Sequence, residues 1–265
     1  MKISAIIPAR LASKRLNEKL LIKIHGLEMI EHVRRRAIIS QAFEEVFVAT
    51  SDIEIEKLIN KYGGKVIRTL KSHENGTSRA AEAINSIDAS HIVLIQGDEP
   101  LILPSHLILM VEYMNKHPEF STINAIARVE FASDLDDPSQ VKCVINQEGR
   151  ILYCFRRSPS NCEKDQQISY IKKMLGLIGY RREILDIISS AKPSKIQELE
   201  SIEQLLLISN NYILNSLELD TNIPSINIYD DINKVMNCIK ENPMQQKLIK
   251  KVIDFKQSSY KLDSN

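Results

Sequence analysis

Four short apolar runs divide the first hundred residues of this chain, and a helix-like segment separates each run from the next. The runs cover residues 3–7, 46–50, 66–67 and 92–96. Each has the composition of a buried strand, whereas the segments between them place apolar residues at helical spacing. A strand–helix order of this kind indicates parallel strands with right-handed crossovers. The sequence therefore predicts an α/β fold built on a doubly wound, mostly parallel sheet.

The pattern changes beyond Ser121, after a predicted helix that begins at Pro104. Strand-like runs occur at residues 122–129, 141–145, 151–155 and 174–180, with few helices among them. A connector is predicted at residues 158–169, and helices are predicted at residues 196–209, 231–240 and 244–255. The second half is therefore expected to form a smaller lobe around a mixed sheet.

The charge balance and the cysteines argue against several classes of protein. The chain has 35 Lys and Arg against 34 Asp and Glu, a net charge of +1, so the composition does not predict nucleic-acid binding. No run of roughly 18 apolar residues occurs, so no membrane span is expected. The apolar run before Pro8 is too short for a signal-peptide core. The four cysteines, Cys143, Cys154, Cys162 and Cys238, lack metal-ligand spacing, so a reduced protein of the cytoplasm is expected.

A cationic loop follows the first apolar run, which is expected to end at Pro8. The loop carries Arg10, Lys14, Arg15 and Lys19. Ligands of open α/β sheets bind beyond the carboxyl ends of the strands, and Arg and Lys bind phosphate oxygens by charge-assisted hydrogen bonds. The loop therefore indicates a polyphosphate site, although its spacing alone is equally consistent with a solvated basic turn.

Two further motifs follow predicted strands. Gly97-Asp98-Glu99-Pro100 offers a carboxylate that could bind Mg²⁺ with substrate phosphates, or an Asp that caps the turn. Gly76-Thr77-Ser78-Arg79 precedes a helix expected from about residue 79, and its backbone N–H groups and Arg79 could bind an anion. An ordinary capped helix start is the alternative for Thr77. Because all three motifs lie at the same edge of a parallel sheet, together they favour transfer of a nucleotidyl group.

These residues resemble the cytidylyltransferases that activate 3-deoxy-manno-octulosonate (Kdo), a sugar acid of lipopolysaccharide. The resemblance extends from Ile3 to about Lys240 and is most specific in the first hundred residues. In that half it rests on Ile7-Pro8-Ala9-Arg10, Ser13, Arg15, Leu16, Lys19, Met29-Ile30-Glu31-His32-Val33, Val48-Ala49-Thr50, Gly63-Gly64, His73, Gly76-Thr77, Arg79, Glu82 and Gln96-Gly97-Asp98-Glu99-Pro100-Leu101-Ile102. Looser matches follow at Pro138, Val141-Lys142, Glu148-Gly149, Leu152-Tyr153, Arg156, Gly179-Tyr180-Arg181 and Glu203-Gln204-Leu205.

The resemblance implies that CTP and a sugar acid are substrates, with Mg²⁺ as cofactor. The anomeric hydroxyl of the sugar acid would attack the α-phosphorus, and pyrophosphate would leave. Catalytic roles would fall to Arg10, Arg15, Lys19 and Asp98, and metal binding to Asp98 and Asn227. The nucleotide would contact Pro8, Ala9, Arg10, Ser13, Lys19, Gly76, Thr77 and Gln96, and the sugar acid Arg79, Gln96, Arg156 and Glu203. A solvated helix charge is the alternative for Glu203.

The same resemblance implies the domain organisation. Residues 1–245 would form one nucleotidyltransferase domain, followed by a C-terminal helix and tail at residues 246–265. Within it, residues 1–120 would bind the nucleotide, and residues 121–220 would form the lobe for dimerisation and sugar binding. A homodimer is expected, with neither nucleic acid nor a membrane as partner.

The opening loop and the second metal ligand depart from the family pattern. Where the family has R-L-P-G-K-P-L, this chain has Arg15-Leu16-Asn17-Glu18-Lys19-Leu20-Leu21, so Glu18 adds a negative charge beside the phosphate site. The family segment V-D-T-P-E-D-L best matches residues 226–232, which replaces its first Asp by Asn227. A second alignment uses Asp220, and Asp230 is a further candidate for completing the metal site.

Two positions expected to recognise the sugar acid also differ. Met174 stands where the family has His, and Ile178 where it has Tyr. These departures leave two alternatives open: a cytidylyltransferase for another sugar acid, or a catalytically weak nucleotide-binding relative with a regulatory role.

Overall fold

The computed structural model describes residues 1–12, 16–71, 73, 75–221 and 223–256. The strands found there are β1 (Ile3–Ala9), β2 (Lys23–Ile24), β3 (Leu27–Glu28), β4 (Val46–Thr50), β5 (Lys65–Arg68), β6 (His91–Ile95), β7 (Thr122–Arg128), β8 (Lys142–Ile145), β9 (Ile151–Phe155), β10 (Ile171–Arg181) and β11 (Asn215–Glu218). The helices are α1 (Met29–Ser40), α2 (Ile53–Lys61), α3 (Gly76–Ala83), α4 (Pro104–Lys116), α5 (Lys164–Tyr170), α6 (Arg182–Ser190), α7 (Lys195–Glu200), α8 (Leu205–Ser209), α9 (Asp231–Glu241) and α10 (Pro243–Ile253).

A nine-stranded sheet forms the centre of the molecule. Seven strands follow the order β11-β7-β10-β6-β1-β4-β5, and β8 and β9 extend from β10. Strands β5, β4, β1 and β6 are parallel, whereas β10 is antiparallel to β6, β7 and β8. The predicted α/β class is confirmed. The strands of the second half continue the same sheet, and the β8–β9 hairpin branches from it.

Strand β1 is buried along its whole length and contacts both helical layers. Ile7 packs in a core that includes residues of α1, α4 and α9, whereas Ile6 packs in a core that includes residues of α3, α6 and α8. The predicted strand end at Pro8 is wrong, because β1 continues to Ala9. Pairing with β6 ends at Ile6, while pairing with β4 continues to Ala9. Pro8 therefore lies where one edge of the strand is unpaired, a position that tolerates its missing N–H.

Several helix predictions need correction. Helix α3 begins at Gly76 rather than Arg79, because the Asn75 side chain accepts a hydrogen bond from the Ser78 N–H and caps it. The helix predicted at residues 196–209 is two helices, α7 and α8, since Ser201 adopts a left-handed φ of 52°. The connector predicted at residues 158–169 contains most of α5. The sequence analysis did not identify the β2–β3 hairpin, α6 or β11.

The C-terminal helix packs against the first half of the chain. Arg35 of α1 donates to the carbonyl of Val252 (2.8 Å), and Gln245 of α10 donates to the carbonyl of Leu101 (2.7 Å). Helix α10 begins at Pro243, before the boundary predicted at residue 246. Within the described ranges, no helix combines the length and the apolar character that crossing a membrane requires.

Candidate active site

An ion pair joins the segments that follow β1 and β6. Lys19 Nζ lies 2.5 Å from Asp98 Oδ2, and the two side chains are only 15% and 21% exposed. Lys19 begins a 3-10 turn (Lys19–Leu21), and Asp98 lies just beyond β6. A Cβ atom at Gly97 would lie 2.9 Å from Leu20 Cδ2, so the close approach of the two segments depends on that glycine. The structure therefore brings together residues that the sequence placed in separate motifs.

A third segment reaches this pair from the far end of the chain. The N–H of Ile226 donates to the carbonyl of Asp98 (3.0 Å), and the Ile226 carbonyl accepts a hydrogen bond from Lys19 Nζ (3.3 Å). Asn227 therefore lies beside the turn that carries Asp98. Asp231 Oδ2 accepts hydrogen bonds from the N–H groups of Asn227 (2.9 Å) and of the next residue (3.1 Å). These bonds fix the segment to the start of α9.

The side chain of Gln96 lies between two glycines. A Cβ atom at Gly76 would lie 3.2 Å from Gln96 Nε2 and 3.0 Å from Pro8 Cγ. A Cβ atom at Gly176 of β10 would lie 2.7 Å from Gln96 Cβ and 2.9 Å from Glu99 Oε1. The Gly176 main chain also accepts a hydrogen bond from the Gln96 N–H (2.8 Å) and donates one to Glu99 Oε1 (3.1 Å). Gln96 is thus confined between the start of α3 and β10.

A carboxylate from the turn between α7 and α8 closes the start of α3. Glu203 accepts hydrogen bonds from the N–H groups of Gly76 (3.2 Å) and Thr77 (3.0 Å) and from the Thr77 hydroxyl. The Thr77 hydroxyl also lies 3.2 Å from the Tyr180 hydroxyl, and burial raises the pKa of Tyr180. A negative charge at a helix N-terminus is favourable. The N–H groups predicted to bind an anion are thus occupied by the chain's own carboxylate.

Arg79 is buried at the same end of α3. Its guanidinium donates to the Thr69 hydroxyl and to the carbonyl of Leu70 (3.3 Å). Burial lowers the pKa of Arg79; the carboxylate of Asp52 opposes this shift, and the exposed Arg10 adds to it. Arg10, Arg79 and the carboxylate of Asp52 therefore lie close enough to one another to interact electrostatically.

Arg156 holds the turn that carries Glu203, and Lys142 binds the main chain of Arg156. Arg156 donates to the carbonyls of Glu200 (2.8 Å), Ser201 (2.8 Å) and Pro138 (2.8 Å). Lys142 is buried and donates to the carbonyl of Arg156, and also to those of residues 137 (2.6 Å) and 140 (2.9 Å). The structure thus brings Arg156 to the main chain next to Glu203.

Burial raises the pKa of Glu99 to about 7, and the negative charge of the neighbouring Asp98 acts in the same direction. Glu99 is therefore partly protonated near neutral pH. Asp98 is the carboxylate of this turn that lies against a cation, Lys19.

Comparison with known proteins identifies the family. A family model described as cytidylyltransferase matches residues 4–218. The 3-deoxy-manno-octulosonate cytidylyltransferase of Chlorobium phaeobacteroides is 34% identical over 92% of this chain and 100% of its own length. That of Geotalea daltonii is 35% identical over 91% of this chain and 99% of its own. The chain belongs to the cytidylyltransferase family. The resemblance found in the sequence is confirmed.

Solved cytidylyltransferases share the fold. The structure of CMP:2-keto-3-deoxy-manno-octonic acid synthetase complexed with CTP has a TM-score of 0.83 and 31% identity, and covers 91% of this chain and 99% of its own. An inositol-1-phosphate CTP transferase from T. maritima, at 19% identity and a TM-score of 0.62, resembles the chain in fold alone.

The oxygen donors beside Lys19 fit a magnesium ion that a cytidylyltransferase would use with its nucleotide. Mg²⁺ commonly takes one or two carboxylates and completes its shell with substrate phosphates and waters. Asp98 supplies one carboxylate, and the amide of Asn227 follows Ile226, whose main chain contacts both Asp98 and Lys19. Within the described ranges, no cluster of three or more His, Cys, Asp or Glu could bind a metal without other ligands. This set therefore fits an ion that arrives with phosphates.

Two predicted residues, Ser13 and Arg15, lie outside the described residues, as does Lys14.

The sequence analysis missed Asp52, whose carboxylate accepts a hydrogen bond from the Leu11 N–H (2.8 Å) and thereby holds the opening loop of this cytidylyltransferase. Asp52 lies just after β4, as Asp98 lies just after β6. The position after a parallel strand, which indicated Asp98, could therefore also have indicated Asp52. Lys142 was matched only as a family position, and Gly176 was missed because its contacts with Gln96 and Glu99 are long-range.

Proposed function

We propose that the protein transfers CMP from CTP to the anomeric hydroxyl of Kdo and releases pyrophosphate. The proposal rests on one observation in a chain of this family. Lys19, Asp98 and the segment of Asn227 contact one another next to Gln96, whose side chain is confined between two glycines. Relatives that match nearly the whole chain carry the name 3-deoxy-manno-octulosonate cytidylyltransferase.

In the proposed reaction the protein positions charges and orients the two substrates. Arg10, Arg15 and Lys19 bind the triphosphate, and Asp98 and Asn227 would hold Mg²⁺, which would neutralise charge on the phosphates. The remaining nucleotide contacts come from Pro8, Ala9, Ser13, Gly76, Thr77 and Gln96. Arg79, Gln96, Arg156 and Glu203 serve the sugar acid. Lys19 exchanges its contact with Asp98 for a phosphate oxygen when the nucleotide binds.

Glu203 orients the start of α3 and offers its remaining acceptor capacity to a substrate hydroxyl. Arg156 acts through the turn that it holds. Removal of one charged group from such a site typically costs about 2.7–4 kcal/mol of transition-state stabilisation.

The test is pyrophosphate release by the purified chain with CTP and Mg²⁺. Kdo, 8-amino-Kdo and nonulosonic acids are supplied separately as acceptors. Release with Kdo well above that with the other acids supports the proposal, and replacement of CTP by UTP or ATP should abolish it. Release with none of the acids, in protein that still binds CTP, would overturn it.

An acceptor other than Kdo is the alternative function, and the residues at two positions of β10 favour it. Met174 and Ile178 stand at the bulge where β10 shifts its register against β7, close to Gly176. Ile178 is buried and apolar. If these positions contact the acceptor, a sugar acid with a less polar substituent fits better than Kdo. Faster release with a nonulosonic acid than with Kdo would select this alternative.

We further propose that the enzyme is a cytoplasmic homodimer. Residues 1–120 would form the nucleotide-binding half and residues 121–220 the lobe for sugar binding and dimerisation. The exposed apolar side chains of Phe131 and Leu152 support an interface in that lobe. Light scattering after size-exclusion chromatography should give twice the mass of 30.2 kDa. A monomeric mass at micromolar concentration would contradict the dimer without bearing on the reaction.

A further inference from the structure

A groove of about 670 Å³ lies between α9 and α10, and the β2–β3 hairpin closes one end of it. The two helices supply nearly all of its lining, and His25 at the tip of the hairpin supplies the rest. None of these residues belongs to the candidate active site. The volume is within the range of sites that bind small organic molecules, about 300–1,000 Å³.

The rim of the groove is cationic. Lys240, Lys247 and Lys250 line it together with His25, and no acidic residue is among the lining. None of the three lysines forms an ion pair within the described ranges. Three ammonium groups around one groove repel one another, and an anion relieves that repulsion. The rim therefore favours a phosphate or carboxylate.

The floor of the groove is apolar. Pro243 is exposed and Met236 is half-buried, so both retain apolar surface in the groove, and the buried side chains of Ile239 and Ile249 also border it. Apolar surface of this kind is stabilised by an alkyl chain that removes it from water. A simple inorganic anion would leave the floor exposed, whereas a neutral alkyl compound would leave the lysines unpaired.

We propose that this groove binds an amphipathic anion, with its phosphate or carboxylate head on the lysines and its alkyl chain on the floor. One molecule binds per chain. The site is separate from the nucleotide and sugar-acid sites, and its occupancy does not depend on the proposed reaction.

The test is isothermal titration of the full chain with decyl phosphate below its micelle concentration, without CTP. We expect saturable binding at one site per chain. Charge reversal at the rim, in the double variant Lys247→Glu and Lys250→Glu, should weaken it by about tenfold or more. The matched control is Lys251→Glu with Lys256→Glu, which makes the same change of charge on exposed residues outside the groove. Equal binding by both double variants, or no saturable binding, would overturn the proposal.

Three comparisons define the ligand. Inorganic phosphate and decyl maltoside should each bind much more weakly than decyl phosphate, and equal binding of either would overturn an amphipathic anion as occupant. Binding to phosphatidylglycerol vesicles without binding of monomeric decyl phosphate would assign the groove to a membrane surface instead, and would overturn the proposal.

Discussion

Lys19 contacts Asp98 and the main chain next to Asn227, the two residues of the proposed metal site. Its ammonium lies 2.5 Å from Asp98 Oδ2 and 3.3 Å from the carbonyl of Ile226, the residue before Asn227. A single side chain therefore connects the opening loop, the end of β6 and the segment that leads into α9. Few other residues in the described ranges join parts of the chain so distant in sequence.

Removal of this ammonium should reduce catalysis and leave the fold intact. We expect Lys19→Met to lower kcat/KM by about 10²- to 10³-fold, the usual effect of removing one group that stabilises charge in a transition state. Lys23→Met is the control, since Lys23 is exposed and its ion pair with Glu28 is long, at 3.6 Å. Steady-state kinetics with CTP and circular dichroism check both. Equal reductions in the two variants would contradict a specific role for Lys19.

Asn227 is the residue at which the proposed metal site departs from the family pattern. Asn227→Asp places a second carboxylate beside Asp98, and carboxylates bind Mg²⁺ more strongly than amides. The Mg²⁺ concentration for half-maximal rate should fall by about tenfold, and kcat should rise. Asn233→Asp, on the exposed surface of α9, should change neither. An unchanged Mg²⁺ requirement would contradict Asn227 as a metal ligand, whereas no turnover by either form would indicate a nucleotide-binding relative.

At the scale of single elements, β10 holds the site through its glycines. Gly176→Ala places a methyl group 2.7 Å from Gln96 Cβ and 2.9 Å from Glu99 Oε1, so the turn that carries Asp98 has to shift. We expect a reduction of kcat/KM of about tenfold or more, because small misplacements of reacting groups are costly. Gly179→Ala on the same strand meets the flexible side chain of Met114 instead, at 2.7 Å from Sδ. It should lower the melting temperature and leave kcat/KM nearly unchanged, and the reverse ranking would contradict this role of Gly176.

Elements fixed by local signals could be predicted, and those fixed by distant contacts could not. The strand β4 and helix α1 follow from apolar spacing within their own residues. The break between α7 and α8 does not, because it depends on Arg156 binding the carbonyls of residues 200 and 201. Likewise Glu203 could be placed near the site only by resemblance, since its partners Gly76 and Thr77 lie far away in sequence. Local spacing indicated the strand ends, and tertiary contacts decided which side chains meet there.

Lys142, which supports that break, should leave a signature in the pH dependence of stability. Burial lowers its pKa to about 8 from the ordinary value of 10.5. Between these pH values the unfolded chain binds more protons than the folded one, so the free energy of unfolding rises with pH. Lys142→Met removes this contribution, and the stability difference between wild type and variant should therefore grow in favour of wild type from pH 8 to pH 10.5. Urea unfolding of wild type and variant across that range measures the difference, and a difference that does not change with pH would contradict the lowered pKa.

At the scale of the whole molecule, both halves of the chain contribute to one sheet and one site. The motif residues of the first hundred positions were found from sequence because the carboxyl ends of parallel strands meet at one edge. The second half enters that edge through β10, the turn of Glu203 and the segment of Asn227, none of which follows a parallel strand of the first half. Its contribution to the site could therefore be inferred from the family resemblance and not from strand order.

The C-terminal helix is joined to the first half through a buried carboxylate, and stability should depend strongly on it. Glu31 is fully buried and pairs with Arg34 (2.5 Å) and Arg35 (3.0 Å), and Arg35 in turn binds the end of α10. Glu31→Gln leaves two buried guanidinium groups without their counter-charge, so we expect the free energy of unfolding to fall by about 3–5 kcal/mol.

The matched control is Glu56→Gln, which breaks a surface pair with Arg68 that spans 3.3 Å. Exposed pairs contribute about 0–1 kcal/mol, so this variant should unfold at nearly the same urea concentration as wild type. A similarly small decrease for Glu31→Gln would mean that the guanidinium groups are stabilised mainly by the carbonyls they contact. The attachment of α10 would then depend on the packing of Leu248 and Val252 against Leu27 rather than on charge.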